Sequence, residues 1–143
     1  MRDIRMQRGG GRFTLGTPEQ RMLGALSATL GVALEPAMLI LDGETRLEIE
    51  GAAPDASVVC QIVANQGTFT SQHRNRVHAN LYKLAWLATS VFPDARAVLA
   101  VSPTTAQAFT PTGWATLAAR DLGVEVFTVA DDLAVAPVPG TVR

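Results

Sequence analysis

The stretch that decides the fold runs from Ser57 to Leu87, and it begins with Ser57-Val-Val-Cys-Gln-Ile-Val-Ala-Asn-Gln66. The start of this run is β-type and apolar on both alternating faces, which is typical of a central, buried strand. Gln61 is then a polar side chain on a covered surface. A buried amide must find hydrogen-bond partners, or it destabilises the fold by about 1–3 kcal/mol.

A helix follows the break at Gly67. It is predicted to begin near Ser71 and to run to about Phe92, where Pro93-Asp94 stops it. Its core stripe recurs at helical spacing and consists of Val77, Leu81, Leu84, Ala88 and Val91. A neighbouring face carries polar residues spaced three, four and three apart, namely His73, Arg76, Asn80 and Lys83. They form either a solvated face or a row within reach of a common anion or carboxylate.

The segments on either side predict an α/β domain. Thr17-Pro-Glu-Gln20 has the pattern of a capping box and begins an amphipathic helix that Gly31 ends. Asp42-Gly43 has the pattern of a tight hairpin turn. The remaining predicted elements are strands over 36–41 and 46–50, a strand over 96–102, a helix over 113–123 and a strand over 124–129.

Length and charge limit the possible functions. A chain of 143 residues predicts one core, placed over residues 17–130, with a flexible basic tail at 1–16 and a second tail at 131–143. A net charge of −1 gives no overall basic field, so nucleic acid would need a local patch. The N-terminal arginines form one such patch, and the second consists of His73, Arg74, Arg76, His78 and Lys83.

Cysteine usage and hydropathy predict a cytoplasmic protein. Cys60 is the single cysteine and cannot form an internal disulfide, and no Cys and His cluster has the spacing of zinc ligands. No segment resembles a signal peptide, and no window approaches the roughly 18–20 apolar residues of a membrane span.

The predicted element order from the first helix to the strand at 96–102 is αβββαβ, followed by an additional C-terminal helix and strand. This order resembles the core of the PD-(D/E)XK, or restriction-endonuclease-like, nuclease superfamily, which implies a mixed central sheet flanked by helices. From Asp42 to Val129 the chain looks like a group of small bacterial proteins of that superfamily. The shared features are the Leu-Asp-Gly turn, an acidic residue before Gly51, the Cys60-Gln61 strand, the Arg76-Val-x-x-Asn80-x-x-Lys83-Leu84 helix and the sequence Leu122-Gly-Val-Glu-Val, which joins the last helix to the last strand.

The resemblance implies a nuclease site whose motif is degenerate. Such chemistry needs an acid on the second strand and an acid-x-Lys on the third, because carboxylates hold Mg²⁺ or Mn²⁺ and the lysine stabilises negative charge. The second-strand acid falls on Glu50, and simple alternation places Glu48 on the same face. The third-strand acid falls on Gln61, and the lysine position falls on Val63.

Other residues of the chain could replace the missing groups. In some members of the superfamily the lysine comes from the helix after the third strand, where Lys83 or Arg76 stands here. Glu19 resembles the extra acid of other members, and Asn80 could add an oxygen. The implied catalytic residues are Glu50, Gln61 and Lys83, and the implied metal ligands are Glu19, Glu48, Glu50 and Gln61.

Three functions stay open at this point. The first is a non-catalytic restriction-endonuclease-like domain that binds nucleic acid or a protein partner through His73, Arg74, Arg76, Asn80 and Lys83. The second is a DNA nuclease that depends on Mg²⁺ or Mn²⁺ and uses Lys83 as a relocated lysine. The third is a structural homo-oligomer. Several aromatic side chains lie outside the apolar core stripe, and such residues are enriched in interfaces. A homodimer is left open, and no cofactor is implied beyond the metal of the nuclease.

Overall fold

The computed structural model of the chain describes residues 2–9 and 16–141. A π-helical segment, Leu87–Val91, continues the second helix, and a 3₁₀ turn covers Thr105–Ala108. The strands and α-helices of the described residues, in chain order, are β1 (Ile4–Arg8), α1 (Pro18–Leu30), β2 (Glu35–Leu41), β3 (Thr45–Ala52), β4 (Val58–Val63), α2 (Ser71–Trp86), β5 (Arg96–Val101), α3 (Trp114–Leu122), β6 (Val124–Val129) and β7 (Val135–Pro137).

All seven described strands form one mixed sheet, and their order in the sheet is their order in the chain. Strands β1 to β4 pair antiparallel, β4 to β6 pair parallel, and β7 pairs antiparallel with β6. The two parallel pairs are connected through α2 and α3, because a parallel connection must cross the sheet from one end to the other. The predicted α/β class with a mixed sheet between helices is confirmed.

Helices cover both faces of the sheet. Helix α1 packs on one face, over a core that includes Cys60, Ile62 and Val98. Helices α2 and α3 pack on the other face, over a core that includes Val59 and Leu99. Every residue of β4 is buried. The prediction of a central strand at this position is confirmed, and its two apolar faces follow from having a helical layer on each side.

The Thr17 cap of α1 and the hairpin turn are confirmed, but the predicted capping box forms only in part, because Gln20 Oε1 accepts from the Gly16 backbone N–H at 2.8 Å and not from that of Thr17. The Thr17 side chain accepts a hydrogen bond from the Gln20 backbone N–H, and Gly31 ends α1 with a φ of 68°. Asp42 and Gly43 have φ values of 54° and 76° between β2 and β3. Positive φ at both central residues is the geometry of a tight hairpin turn, and it explains why this dipeptide stands there.

Helix α2 begins at Ser71 as predicted, but the α-helical part ends at Trp86 and not near Phe92. The continuation is the π-helical segment, in which Leu87 and Val91 stay buried. The Thr89 hydroxyl donates to the carbonyl oxygen of Ala85 at 2.8 Å in this region. Ala88 of the predicted core stripe is only half-buried, whereas Leu87, which lies outside that stripe, is fully buried, because the π-helical segment changes the helical period.

The structure differs from the predicted tails at both ends of the chain. Ile4–Arg8 forms β1 and pairs with β2, while Ile4 and Met6 pack on the α2-side core. The dense arginines obscured this alternation in the sequence. At the other end β7 forms, and Val138 and Thr141 are buried. Residues 10–15 of the predicted N-terminal tail, which include Arg12, lie outside the described residues.

Strand β3 contains a β-bulge that decides which side chains face α2. On β2 the pairing advances by two residues, from Glu35 to Ala37, whereas on β3 it goes back by three, from Ala52 to Ile49. The extra residue in β3 interrupts the alternation of faces, as such bulges do. Ile49 packs in the α2-side core, and the adjacent Glu50 also contacts side chains of that layer.

Candidate functional site

Glu50 and Gln61 form the centre of a buried polar cluster between β3 and β4. Their relative exposures are 9% and 3%. Gln61 Oε1 accepts from the Glu50 backbone N–H at 3.0 Å, and Gln61 Nε2 donates to Glu50 Oε1 at 3.2 Å. The same carboxylate oxygen accepts from the Ile62 backbone N–H at 3.1 Å. The amide orientation is therefore fixed, because a reversed amide would direct its NH₂ group at the Glu50 N–H.

Asn80 links this pair to helix α2. Its Oδ1 accepts from Gln61 Nε2 at 2.8 Å, and its Nδ2 donates to the carbonyl oxygen of Arg76 at 2.8 Å. Gln61 thus uses both amide hydrogens and its oxygen within the protein. We call Glu50, Gln61 and Asn80 the polar cluster. No buried side-chain nitrogen or oxygen among the described residues is without a hydrogen-bond partner.

Lys83 reaches β3 from the next turn of α2. Its ammonium donates to the backbone carbonyl oxygen of Glu48, two residues before Glu50 along β3. Lys83 thus contacts β3 two residues before Glu50, whose carboxylate accepts hydrogen bonds from Gln61 and Ile62 on β4. This position fits a relocated lysine, and the catalytic role of Lys83 stays a prediction.

The other two predicted metal ligands do not join the cluster. Leu47 and Ile49 both pack in the α2-side core, so Glu48 between them points to the opposite face, where it is exposed. The bulge thus separates two glutamates that simple alternation places together. Glu19 lies on α1, which packs on the other face of the sheet. The sheet separates Glu19 from Glu50.

The side chains present do not fit the implied Mg²⁺ or Mn²⁺ site. Glu50 supplies one carboxylate, and the Gln61 oxygen already accepts from a backbone N–H. Divalent ions of this kind are held in proteins mainly by carboxylates with other oxygen ligands. Over residues 2–9 and 16–141, no group of three or more His, Cys, Asp or Glu side chains is arranged to hold a metal ion.

Comparison with protein-family models, curated proteins and solved structures finds no match. The resemblance to the restriction-endonuclease-like proteins is therefore an interpretation of the residues and of the element order. In the part of the chain that the structure describes, no helix combines the length and the apolar character that crossing a bilayer requires.

The structure divides the predicted partner-binding residues between two flanks of α2. Asn80 contacts Gln61 on β4, and Lys83 contacts the backbone of β3. His73 acts as a helix cap, because its Nδ1 accepts from the Thr70 backbone N–H at 3.2 Å. Arg74 lies on the flank toward α3, with its guanidinium 5.1 Å from the Phe69 ring centre. Both Arg74 and Arg76 are exposed, so they are the cations of the set that solvent reaches most easily.

A second polar network, not predicted from the sequence, joins the carboxyl ends of β4 and β5. The Ser102 hydroxyl donates to the Asn65 carbonyl oxygen at 2.6 Å and accepts from the Asn65 N–H at 3.2 Å. Arg76 donates to the side chain of Asn65, and Thr105 donates to the Val63 carbonyl oxygen at 2.8 Å. The sequence contains one signal that could have predicted this network, namely polar residues directly after two parallel strands. The carboxyl ends of parallel strands meet at the same edge of the sheet.

The segment from residue 56 to residue 120, which includes α2, is poor in carboxylates. Between residues 56 and 120 the sequence has a single acidic residue, Asp94, against five basic ones, which are Arg74, Arg76, Lys83, Arg96 and Arg120. Helix α2 contains no acidic residue. Arg96 is bound to Glu125 through both its Nε and its Nη2. The positive charge around α2 is therefore local, although the whole chain is almost neutral.

On the opposite face, a cleft of about 210 Å³ opens between the start of α1 and the carboxyl ends of β4 to β6. Its polar lining includes Arg21, Gln66, Ser102 and Asp131. The Arg21 guanidinium donates to the Gly16 carbonyl oxygen at 2.9 Å. None of the site residues predicted from the sequence lines this cleft.

Proposed function

We propose that this chain is a non-catalytic, restriction-endonuclease-like domain that binds nucleic acid through the basic surface of α2. The observation that carries the proposal is the polar cluster. At the position where a nuclease would have an acid, Gln61 is 3% exposed and binds Glu50 and Asn80 with all its polar atoms. An amide used in this way stabilises the fold and is not available to a substrate.

The fold supports the first part of the proposal. From α1 to β5 the order of α-helices and strands is α, β, β, β, α, β. The first three of these strands pair antiparallel, and the last strand lies parallel to β4 after the α2 crossover. The implied acid and amide positions, Glu50 and Gln61, lie on adjacent strands and contact each other. This arrangement agrees with the element order from which the resemblance was drawn.

Charge supports the second part of the proposal. Sequence-independent binding of nucleic acid depends mainly on cations that contact phosphates. Arg74 and Arg76 are both exposed on a helix without carboxylates, one on each flank of that helix. A binding protein of net charge −1 needs such a local surface, because the field of the whole chain does not attract a polyanion.

Binding of fluorescein-labelled 20-mers, single-stranded and double-stranded, tests the proposal. Fluorescence polarisation at several salt concentrations should give a dissociation constant of about 10⁻⁴–10⁻⁶ M at physiological salt and a negative slope of log K against log salt. In Arg74→Gln/Arg76→Gln the affinity and the slope should both fall. Arg46→Gln is the matched control, because Arg46 is an exposed arginine on β3. Equal losses in the control and the double variant, or no binding by the wild type, would overturn the proposal.

One observation favours the nuclease as a second candidate: Lys83 donates to the backbone carbonyl oxygen of Glu48, two residues before Glu50 on β3. Incubation of the protein with plasmid and Mg²⁺ or Mn²⁺ tests this candidate. Cleavage that disappears in both Glu50→Gln and Lys83→Met, with unchanged circular dichroism, would support it and overturn the non-catalytic proposal. In another outcome, the wild type fails to cleave while Gln61→Glu gains cleavage or Mn²⁺ binding. That result would show that the Gln61 amide prevents metal chemistry.

A further inference from the structure

Two large aromatic side chains are exposed on the helical layer that α2 and α3 form. Tyr82 on α2 is 80% exposed, and Trp114 at the start of α3 is 70% exposed. Arg74 and His78 precede Tyr82 by eight and four residues, so the three share one flank of α2. We call the surface formed by Arg74, His78, Tyr82 and Trp114 the aromatic groove.

Contacts between the two helices show that this flank faces α3. The His78 ring lies 4.9 Å from the Trp114 ring, centre to centre, with 48° between the ring planes. This contact supports the indole from one side and leaves most of its surface in solvent. The indole is thus held in place by the fold although it is hardly buried, which is unusual for a residue whose common role is core packing.

Arg74 supplies the cation on the α2 side of the groove. Arg74 lies against the Phe69 ring at 5.1 Å. Partial burial, and then the charge of Arg74, lower the pKa of the neighbouring His78. Helix α2 has no carboxylate. On α3 the carboxylate is Asp121, whose Oδ1 lies 4.0 Å from Arg120 Nε. Exposed aromatic rings beside cations, on an acid-poor surface, are the features that bind unpaired bases and their phosphates.

We propose that the aromatic groove binds single-stranded nucleic acid, with bases stacked on Trp114 and Tyr82 and a phosphate beside Arg74. This inference rests on the proposed function and specifies its ligand. A duplex keeps its base faces stacked inside, so protein rings bind unpaired bases far better. A second copy of the chain fits the groove poorly, because a two-fold contact would bring like-charged copies of this surface together.

Fluorescence measurements with the single-stranded homopolymers dT20 and rU20 and with a 20-mer duplex test this inference. Both single strands should quench the emission of the exposed Trp114 and should bind more tightly than the duplex. Trp114→Ala and Tyr82→Ser should each lower the affinity for dT20 by at least about fivefold, the lower end of the range for one stacked base. Leu122→Ala is the control, because Leu122 is also exposed and apolar on α3.

The outcomes separate this inference from the proposed function. If duplex and single strands bind equally and Trp114→Ala changes neither affinity, the groove is not the binding surface, while salt-dependent binding through Arg74 and Arg76 would still stand. If no nucleic acid binds at all, both proposals fail. A dimer in light scattering that Trp114→Ala converts to a monomer would show that a second copy covers the groove, which also overturns the inference.

Discussion

Gln61 and Glu50 exchange two hydrogen bonds across adjacent strands. The Gln61 oxygen accepts from the Glu50 backbone N–H at 3.0 Å, and the Gln61 nitrogen donates to the Glu50 carboxylate at 3.2 Å. The amide side chain thus continues the pairing of β3 and β4 beyond the backbone pairs at Gly51 and Ala52. A glutamate at position 61 would place a second carboxylate against Glu50, and like charges at this distance disfavour ionisation of both.

The first prediction follows from this pair. Gln61→Met keeps the volume of the side chain but removes its hydrogen bonds to Glu50 and to Asn80. Each buried group left without a partner costs about 1–3 kcal/mol, so urea unfolding should show a loss of at least about 2 kcal/mol. Gln66→Met is the matched control, because Gln66 is exposed, and its effect should stay within about 0.5 kcal/mol. Equal stability of the two variants would show that the cluster contributes nothing to folding.

Much of the fold could be predicted because local signals agreed with the tertiary structure. The Thr17 cap, the Asp42-Gly43 turn and the apolar period of α2 each act over a few residues. Strand β1 was missed because its alternation, Ile4-Arg-Met-Gln-Arg8, is short and rich in arginine. Its stabilisation comes from pairing with β2, where the partner residues stand 29 to 37 positions later in the chain.

The site could be predicted only in part. Gln61 and Asn80 were chosen from residue type and helical spacing, and the structure brings them together at 2.8 Å. The positions of Glu48 and Glu50 depend on the bulge in β3. A bulge is set by the register against neighbouring strands, so alternation along the sequence places the two glutamates on the same face. The distance of Glu19 from the polar cluster could not be predicted either, because the sequence does not show which face of the sheet α1 covers.

The second prediction concerns the reactivity of Cys60. Burial, with a smaller contribution from the Glu50 charge, raises the pKa of the Cys60 thiol well above its ordinary value. Since the thiolate is the reactive form, Ellman's reagent should not label the native protein at pH 8, and it should label one thiol in guanidinium. Cys60→Ala/Ser71→Cys is the control, because Ser71 is exposed. Labelling of native Cys60 as fast as that of the control thiol would contradict the buried position.

The third prediction is a pH dependence of stability from His78. Partial burial, and then the charge of Arg74, lower the pKa of His78 in the folded state. The unfolded chain therefore takes up a proton at a higher pH than the folded chain does. The contribution of His78 is present above its ordinary pKa of about 6.5 and is lost as the pH falls from there toward the lowered folded pKa.

Urea midpoints of the wild type and of His78→Gln at pH 8 and pH 5.5 measure this effect. The wild type should lose more stability on acidification than the variant, because glutamine does not titrate in this range. An NMR titration of the imidazole should give a pKa below the ordinary value, and Arg74→Gln should raise it. The same pH dependence in wild type and His78→Gln would show that other groups account for the acid sensitivity.

The fourth prediction compares two glycines with opposite surroundings. A Cβ at Gly51 would lie 2.6 Å from Leu23 Cδ1, and the Leu23 side chain is itself buried under α1. Gly51→Ala therefore forces Leu23 to move within a packed core, which typically costs about 1–3 kcal/mol.

A Cβ at Gly24 meets nothing within 4 Å, and Gly24 lies exposed in the middle of α1. Gly24→Ala should stabilise the protein by about 0.5–1 kcal/mol, because alanine restricts the unfolded chain more than glycine does.

Thermal and urea unfolding of both variants check these opposite signs. In Gly51→Ala a second substitution, Leu23→Val, removes part of the clashing side chain. If the clash is the cause, the double variant should recover some of the stability lost in Gly51→Ala. If the two substitutions act independently, their losses of unfolding free energy should add. Two outcomes would contradict the packing of Leu23 of α1 against the end of β3 beside the polar cluster. One is that both single variants are stabilised. The other is that the losses of stability simply add in the double variant.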